Sequence, residues 1–308
     1  MSKRVKDVEE STAGDGSRAI NKFRLSDGIM MLVIVLLCLT CILPFVHVMA
    51  KSLSSNNFVS AQEVTLWPKG LTTSAYKAVF ADSSMTYSMG FSIIVTIIFT
   101  ILGLIVCLCA AYPLSKKELP FKRVITFLLV FPMYFGAGLI PTYLLYNDLN
   151  LLDNMWVLIL PGIYSAYNML VMKSYFHSSI PDSLEESAFL DGANYFQIIR
   201  HIILPLSKPI LATLGLFYAV GRWNSYGDNM YYIRMRTDLR MLQYKLYLLV
   251  STAAEAQSTA LAEGSAVDST PEVLQSATIM FATIPIIIVY PFLQKYFVKG
   301  AMIGSVKG

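Results

Sequence analysis

The side chains best able to do chemistry in this chain sit in one polar passage, 181–205, which reads PDSLEESAFLDGANYFQIIRHIILP. Asp182, Glu185, Glu186, Asp191, Arg200 and His201 surround a central Gly192. No nucleophile stands beside a base here, so the chemistry open to them is recognition: carboxylates offered to a partner's donors. Ser183 followed by Glu186 has the spacing of a capping box, which predicts a short helix over 184–190. Gly192 supplies a stop or bend. A second helix is expected over 194–204, with Pro205 near its end and Pro209 at the start of the next span. Ile198, Ile199, Ile202 and Ile203 make an apolar stripe at helical spacing. Two readings stay open on periodicity alone: a knob for a partner's socket, or an interfacial helix with no partner.

The elements around this passage are apolar. The chain has 308 residues, 55% of them hydrophobic and 14% charged, where soluble domains carry about 25% charged residues. Mean hydropathy is +0.56. Six runs approach the roughly 20 residues needed to cross a bilayer: 28–50, 88–112, 124–146, 155–172, 209–223 and 277–293. Backbone groups in lipid must be satisfied within the element, so the expected fold is all-α. The first run is too long for a cleavable signal and lacks a small-residue cleavage pattern. The net charge of +4 is explained by loop lysines and arginines and does not imply nucleic acid. Cys38, Cys41, Cys107 and Cys109 all fall inside the runs without His or acid beside them, which predicts small apolar filler.

Basic residues set the expected orientation. Sixteen of the 24 lie in the N-terminal tail, the second-to-third connection (Lys116, Lys117, Lys122, Arg123), the fourth-to-fifth connection (Lys173, Arg200, Lys208) and the C-terminus. Both termini and the 181–205 passage are therefore expected in the cytoplasm. Four of the remaining eight (Arg234, Arg236, Arg240 and Lys245) sit in the long connection 224–275, with Arg222 just before it, and long loops translocate largely regardless of charge. Apart from His47 and Arg222 near span ends, the runs are almost free of ionisable groups. Ion-coupled carriers need such groups near the midplane. No phosphate-binding loop of the form G-x-x-x-x-G-K-[ST] occurs, so any ATP that drives this chain must bind a separate subunit.

The passage resembles the EAA loop of the permeases of ATP-binding-cassette importers, whose pattern is E-A-A, three residues, G, nine residues, I-x-L-P. Here Glu186-Ser187-Ala188 is followed after three residues by Gly192, and after nine more by Ile202-Ile203-Leu204-Pro205. Ser187 replaces the usual Ala, small for small. The stretches RWNSYGDNMYYI, TPEVLQSATIMFATIPIIIVYPFLQKYF and VKGAMIGSVKG are similar to the carbohydrate permeases of the maltose G-subunit type, in particular the LplC-type oligosaccharide and polysaccharide permeases.

The resemblance implies a six-span permease domain over 28–298, between cytoplasmic tails 1–27 and 299–308, in the inner membrane. It implies an ATPase-coupling set of Glu186, Ser187, Ala188, Asp191, Gly192, Ile202, Leu204 and Pro205. Glu186 would be the docking acid, Gly192 the hinge and Ala188 a close contact. The implied partners are a sister permease, two cytoplasmic ATPase subunits holding ATP and magnesium, and an extracytoplasmic sugar-binding protein. This chain itself would hold no cofactor and catalyse nothing. The tail 299–308 is expected at the ATPase interface, or as a frayed basic end. The connection 224–275 either enters the binding protein's cleft or is a flexible excursion. Aromatic faces and amides grip sugars, which nominates Tyr164, Tyr167, Asn168, Tyr218, Trp223 and Asn224, each equally at home as a core or belt residue. The rival to the importer is an ion-coupled carrier or channel without an ATPase.

Overall fold

The computed structural model describes residues 25–263 and 272–305, with side chains over 27–252 and 272–291. The expected N-terminal tail lies outside the described residues, as do 264–271 of the long connection and the last residues of the C-terminal tail. Every regular element described is helical. The chain divides into two compact units, Met1–His47 and Val48–Gly308. The first contains most of α1 (Leu25–Ser52).

The second unit is built on α4 (Ser83–Ser115), after the short α2 (Asn56–Ser60) and α3 (Ser74–Ala81). Asp82 caps α4: its carboxylate accepts from the Ser84 N–H at 2.8 Å, satisfying an N-terminal donor and placing negative charge at the positive end of the helix. Among the described residues, three helices are long and apolar enough to cross a membrane alone, and up to six spans result if each of three bent pairs counts as one.

The bent pairs correct the expectation of unbroken runs at 124–146 and 155–172. α5 (Lys122–Tyr134) and α6 (Leu139–Asp148) meet at 113°. Pro132 removes a backbone donor, Phe135 turns extended, and Gly138 takes φ +85°, a conformation glycine adopts freely. The 155–162 stretch is two 3-10 turns (Met155–Leu158 and Leu160–Gly162), bent by 47° from α7 (Ala166–Ser179). Pro161 shortens the turn there. A side chain at Gly162 would meet the Phe99 ring at 2.9 Å.

α8 (Asp182–Leu190) and α9 (Tyr195–Leu206) form a helical hairpin, and α9 turns through 80° into α10 (Lys208–Asn224). α11 (Gly227–Tyr232), α12 (Leu242–Glu263) and α13 (Glu272–Ser305) complete the chain. The main core lies between α4, α7 and α10, with Val95, Met169, Met172 and Leu214 fully buried. Gly103 lets α10 come close: a Cβ there would sit 2.8 Å from the Tyr218 ring. A second core joins α3, α10 and α13 through Val79, Trp223, Ala277 and Phe281.

The connections of the second unit meet in two groups. At one end, the 116–121 turn touches α8 through Lys116–Glu185 and Lys117–Asp182. At the other, Lys51 pairs with Glu272, Lys245 reaches Ser84, and Asp153 holds the 234–236 backbone. The connection 224–275 is not simply a flexible excursion over its first half. Asn229 brackets Leu239 and Met241, and Ser88 and Ser92 bond Arg240 and Leu242 (2.8 Å each), stitching the strap to α4. Its Ala- and Ser-rich part continues as α12 to Glu263, as the high helix propensity of alanine allows.

Candidate functional site: the α8–α9 hairpin

α8 begins two residues earlier than a Ser183 cap would place it, with Pro181 at the N-cap and Asp182 in the first turn. Ser183 is therefore inside the helix and caps nothing. The Ser187 hydroxyl donates to its carbonyl at 2.9 Å. The capping box of this hairpin belongs to α9 instead. The Asn194 side chain accepts from the Gln197 N–H, and the Gln197 side chain accepts from the Asn194 N–H, both at 2.9 Å. That box closes two of the free donors at the start of a short helix.

Between the helices Gly192 takes φ +83°. Its N–H donates to the Phe189 carbonyl (3.0 Å), and the Ala193 N–H donates to the Ala188 carbonyl (2.9 Å). This pair of bonds is a Schellman motif, and the small side chains of Ala188 and Ala193 pack under it against the main core. The Phe189 and Tyr195 rings meet edge-on at 5.0 Å across the turn. Gly192 thus supplies the bend between the two helices.

α9 is interrupted by a π-turn over Ile199–Ile203. Pro205 has no N–H and would press on the His201 carbonyl in a regular helix, and the wider turn accommodates it. Pro205 lies within α9, and the 80° turn falls after it, at Ser207. Ile198 and Ile203 are fully buried, with Ile199 and Ile202 packed beside them, so the apolar stripe anchors the hairpin to the bundle. Leu204 is half-buried on the same base.

Glu186, Ser187, Asp191 and Gly192 are exposed on the opposite side. Among the described residues Glu186 has no hydrogen bond or ion pair. The hairpin also carries large apolar groups in the open: Leu190 is 90% exposed and Phe196 70%, and Tyr195, Phe189 and Leu184 are exposed as well. Sequence reasoning gives this face as acidic and misses its apolar half. The signal lies in the phenylalanines and leucine of FLDGANYF, which no core-facing period absorbs.

The acids do not all face outward. Glu185 is only 6% exposed. It pairs with Lys116 at short range and accepts from the Tyr112 hydroxyl at 3.0 Å. Asp182 pairs with Lys117 at 3.1 Å. That hydrogen bond and the ammonium charge hold the Asp182 carboxyl below the usual range and push the Lys117 ammonium up. A cleft of about 770 Å³ opens between α8 and the 116–120 turn, walled by Tyr112, Lys116, Lys117, Glu186, Phe189 and Tyr195.

The six residues nominated for sugar contact do not form one site within this chain. Tyr218 is buried against Phe99, and Trp223 donates to the Ala282 carbonyl at 3.2 Å. Asn168 is buried, and the Tyr164 hydroxyl donates to the Leu129 carbonyl at 2.6 Å. Tyr167 and Asn224 are exposed. Cys107 is buried in the core, whereas Cys38, Cys41 and Cys109 are exposed.

Residues 103–226, which include the whole hairpin, match the family described as binding-protein-dependent transport system inner membrane component. The chain is 38% identical over 289 residues to the polygalacturonan/rhamnogalacturonan transport system permease protein YtcP of Bacillus subtilis, covering 93% of this chain and 100% of that one. It is 40% identical over 270 residues to protein LplC of the same organism, covering 87% and 90%. A solved structure, of a bacterial ABC transporter involved in the import of the acidic polysaccharide alginate, aligns with TM-score 0.76 and 34% identity over 90% of this chain and 99% of that chain. These relatives give no support to an ion-coupled carrier.

Proposed function

The chain belongs to the family of binding-protein-dependent transport system inner membrane components, and from that premise we propose that it is one permease half of an ATP-driven importer for oligosaccharides derived from polysaccharides. Both termini and the α8–α9 hairpin face the cytoplasm, as the distribution of basic residues favours. The hairpin docks on a separate ATPase, which binds ATP and magnesium. A homologous sister permease completes the pathway, and an extracytoplasmic binding protein delivers the sugar at the end stitched by Asp153 and the 224–242 strap. Tyr167 and Asn224, exposed on this chain, are the residues of the nominated six left free to meet sugar or the sister subunit.

One observation carries this reading. Glu186, without an ion pair among the described residues, is exposed on a hairpin that also exposes Leu190, Phe196 and Tyr195 and is built on a Schellman turn, a capping box and a buried isoleucine base. An element that presents an exposed carboxylate together with exposed apolar groups has the anatomy of an interface: a charged anchor with hydrophobic surround. The family's transport role supports an ATPase as the docking subunit.

Purifying a tagged form of this chain from its native membranes tests the proposal. The expected result is co-purification of an ATPase and a second permease. Recovery of the chain alone, active in ion-driven uptake, contradicts it.

A further inference from the structure

α8 is joined to the membrane bundle by two routes. One is the chain itself, through the Gly192 turn, α9 and the 80° turn into α10. The other is lateral. Glu185, adjacent to Glu186 and pointing the other way, reaches the end of α4, far earlier in the chain. Its carboxylate takes the Tyr112 hydroxyl at 3.0 Å and the Lys116 ammonium at short range.

From these two residues contacts spread into three helices. The Lys116 ammonium stands 4.8 Å from the centre of the Tyr112 ring. That ring meets Phe176 of α7 edge-on at 6.4 Å. The Lys116 carbonyl accepts from the Lys122 ammonium at 2.6 Å, which ties in the start of α5. Tyr112 and Phe176 both belong to the main core. Glu185 is thus a buried charge whose partners are fixed at the hub of α4, α5 and α7.

Geometry decides which route is stiffer. The chain route contains a glycine turn, a π-turn and an 80° bend, and each can absorb displacement. The lateral route is a short ion pair and a hydrogen bond in a desolvated site, where separation leaves a buried carboxylate unpaired. We propose that Glu185 is the positioning residue that delivers movement of α8 to α4, with Lys116 and Tyr112 as its receivers. This rests on the reading that α8 meets the ATPase. It adds that the neighbouring acids divide the work: Glu186 receives the ATPase, and Glu185 passes its displacement inward.

The test uses the assembled importer in proteoliposomes with its binding protein, reading sugar transported per ATP hydrolysed and the amount of ATPase retained. Glu185→Gln keeps the shape and an acceptor for Tyr112 but loses the ion pair. Lys116→Met removes the other partner. Each is expected to lower sugar moved per ATP about tenfold, within the usual range of coupling between sites, with the ATPase still bound. The double variant Glu185→Gln/Lys116→Met is expected to be no worse than either single one, since both remove the same link. A simple staple would lower stability and assembly while leaving the transport-to-hydrolysis ratio intact, and that ratio unchanged in both single variants overturns the proposal. Loss of the ATPase in Glu185→Gln to the extent seen in Glu186→Lys also overturns it, because Glu185 would then serve docking. If no ATPase accompanies even the unsubstituted chain, the importer reading fails first, independently of Glu185.

Discussion

Glu185 and Glu186 are adjacent in sequence and opposite in environment: Glu185 is buried on Lys116 and Tyr112, while Glu186 stands exposed with no hydrogen bond or ion pair among the described residues. One helical step of about 100° separates an internal bond from a surface offered to another subunit. The consequences differ accordingly.

Charge reversal at the exposed acid, Glu186→Lys, is expected to release the ATPase while leaving the chain inserted and folded. Losing one partner of a charge-assisted contact at a desolvated interface costs about 2–5 kcal/mol. Quantifying the ATPase retained by the tagged chain checks this. Full retention and full transport by the variant would contradict the docking role.

Leu190 and Phe196 should behave as interface residues, not as core. Leu190→Ala and Phe196→Ala remove side chains that are largely exposed in this chain. Thermal unfolding of the isolated permease is expected to change little, while affinity for the ATPase drops by about 1–2 kcal/mol per anchor. Equal loss of stability and affinity would instead assign them to folding.

At Gly192 the constraint is conformational. A Cβ there meets nothing within 4 Å, but φ is +83°. Gly192→Ala is therefore expected to strain the turn by about 1–2 kcal/mol, and Gly192→Asn by less, since asparagine tolerates the left-handed region. Transport should fall in the order Gly, Asn, Ala. Tight crowding at this position would make Asn the worse of the two, and the order of the two variants separates these cases.

Gly103 makes the contrasting case, because space is the constraint. Its Cβ would meet the Tyr218 ring at 2.8 Å. Gly103→Ala is expected to destabilise the bundle by about 1–3 kcal/mol through overpacking of α4 on α10. A lowered melting temperature in detergent is the readout, and an unchanged one would show that α4 and α10 approach each other less closely.

The opposite end of the bundle carries a pH dependence. Burial works against the charge of Asp153, but the backbone N–H groups of Arg236, Met235 and Arg234 and the Arg234 guanidinium outweigh it and hold the carboxyl below the usual range. Its depressed folded value means the carboxylate stabilises the folded state fully above the ordinary aspartate pKa of about 3.9. That contribution is lost as pH falls through the lower folded value. Hydrogen exchange at residues 234–236 should be insensitive to Asp153→Asn below that range. At neutral pH it should speed up roughly tenfold in Asp153→Ala, in keeping with hydrogen bonds to a charged acceptor. Equal exchange at neutral pH in Asp153→Ala and the unsubstituted chain would contradict the role given to Asp153.

How much of the fold and the site is legible in the sequence depends on the range of the interaction. Glu186, Gly192 and Pro205 can be read from spacing because their roles are local: a helix face, a positive φ, a missing N–H. The buried isoleucines of α9 announce themselves by period. Glu185 does not, because its partner Lys116 lies in a different connection and only folding brings them together. Spacing points to Ser183 for the capping box, yet Asn194 and Gln197 hold it, since Pro181 starts α8 two residues early. The breaks at 135–138 and in 155–162 escape because hydropathy averages over a run and is blind to Gly138 at φ +85° or to a 3-10 turn at Pro161. Tyr218 and Trp223 have the types that grip sugars, yet here they pack helices, and side-chain type alone does not distinguish those uses.

If ATP, acting through the α8–α9 hairpin, drives sugar through a pathway of which this chain is half, uptake of labelled oligosaccharide into proteoliposomes holding the full complex tests it most directly. Uptake is predicted to need both ATP and the binding protein, to be abolished by Glu186→Lys, and to be indifferent to an imposed ion gradient. Uptake by this chain alone, driven by an ion gradient without ATP, would contradict it.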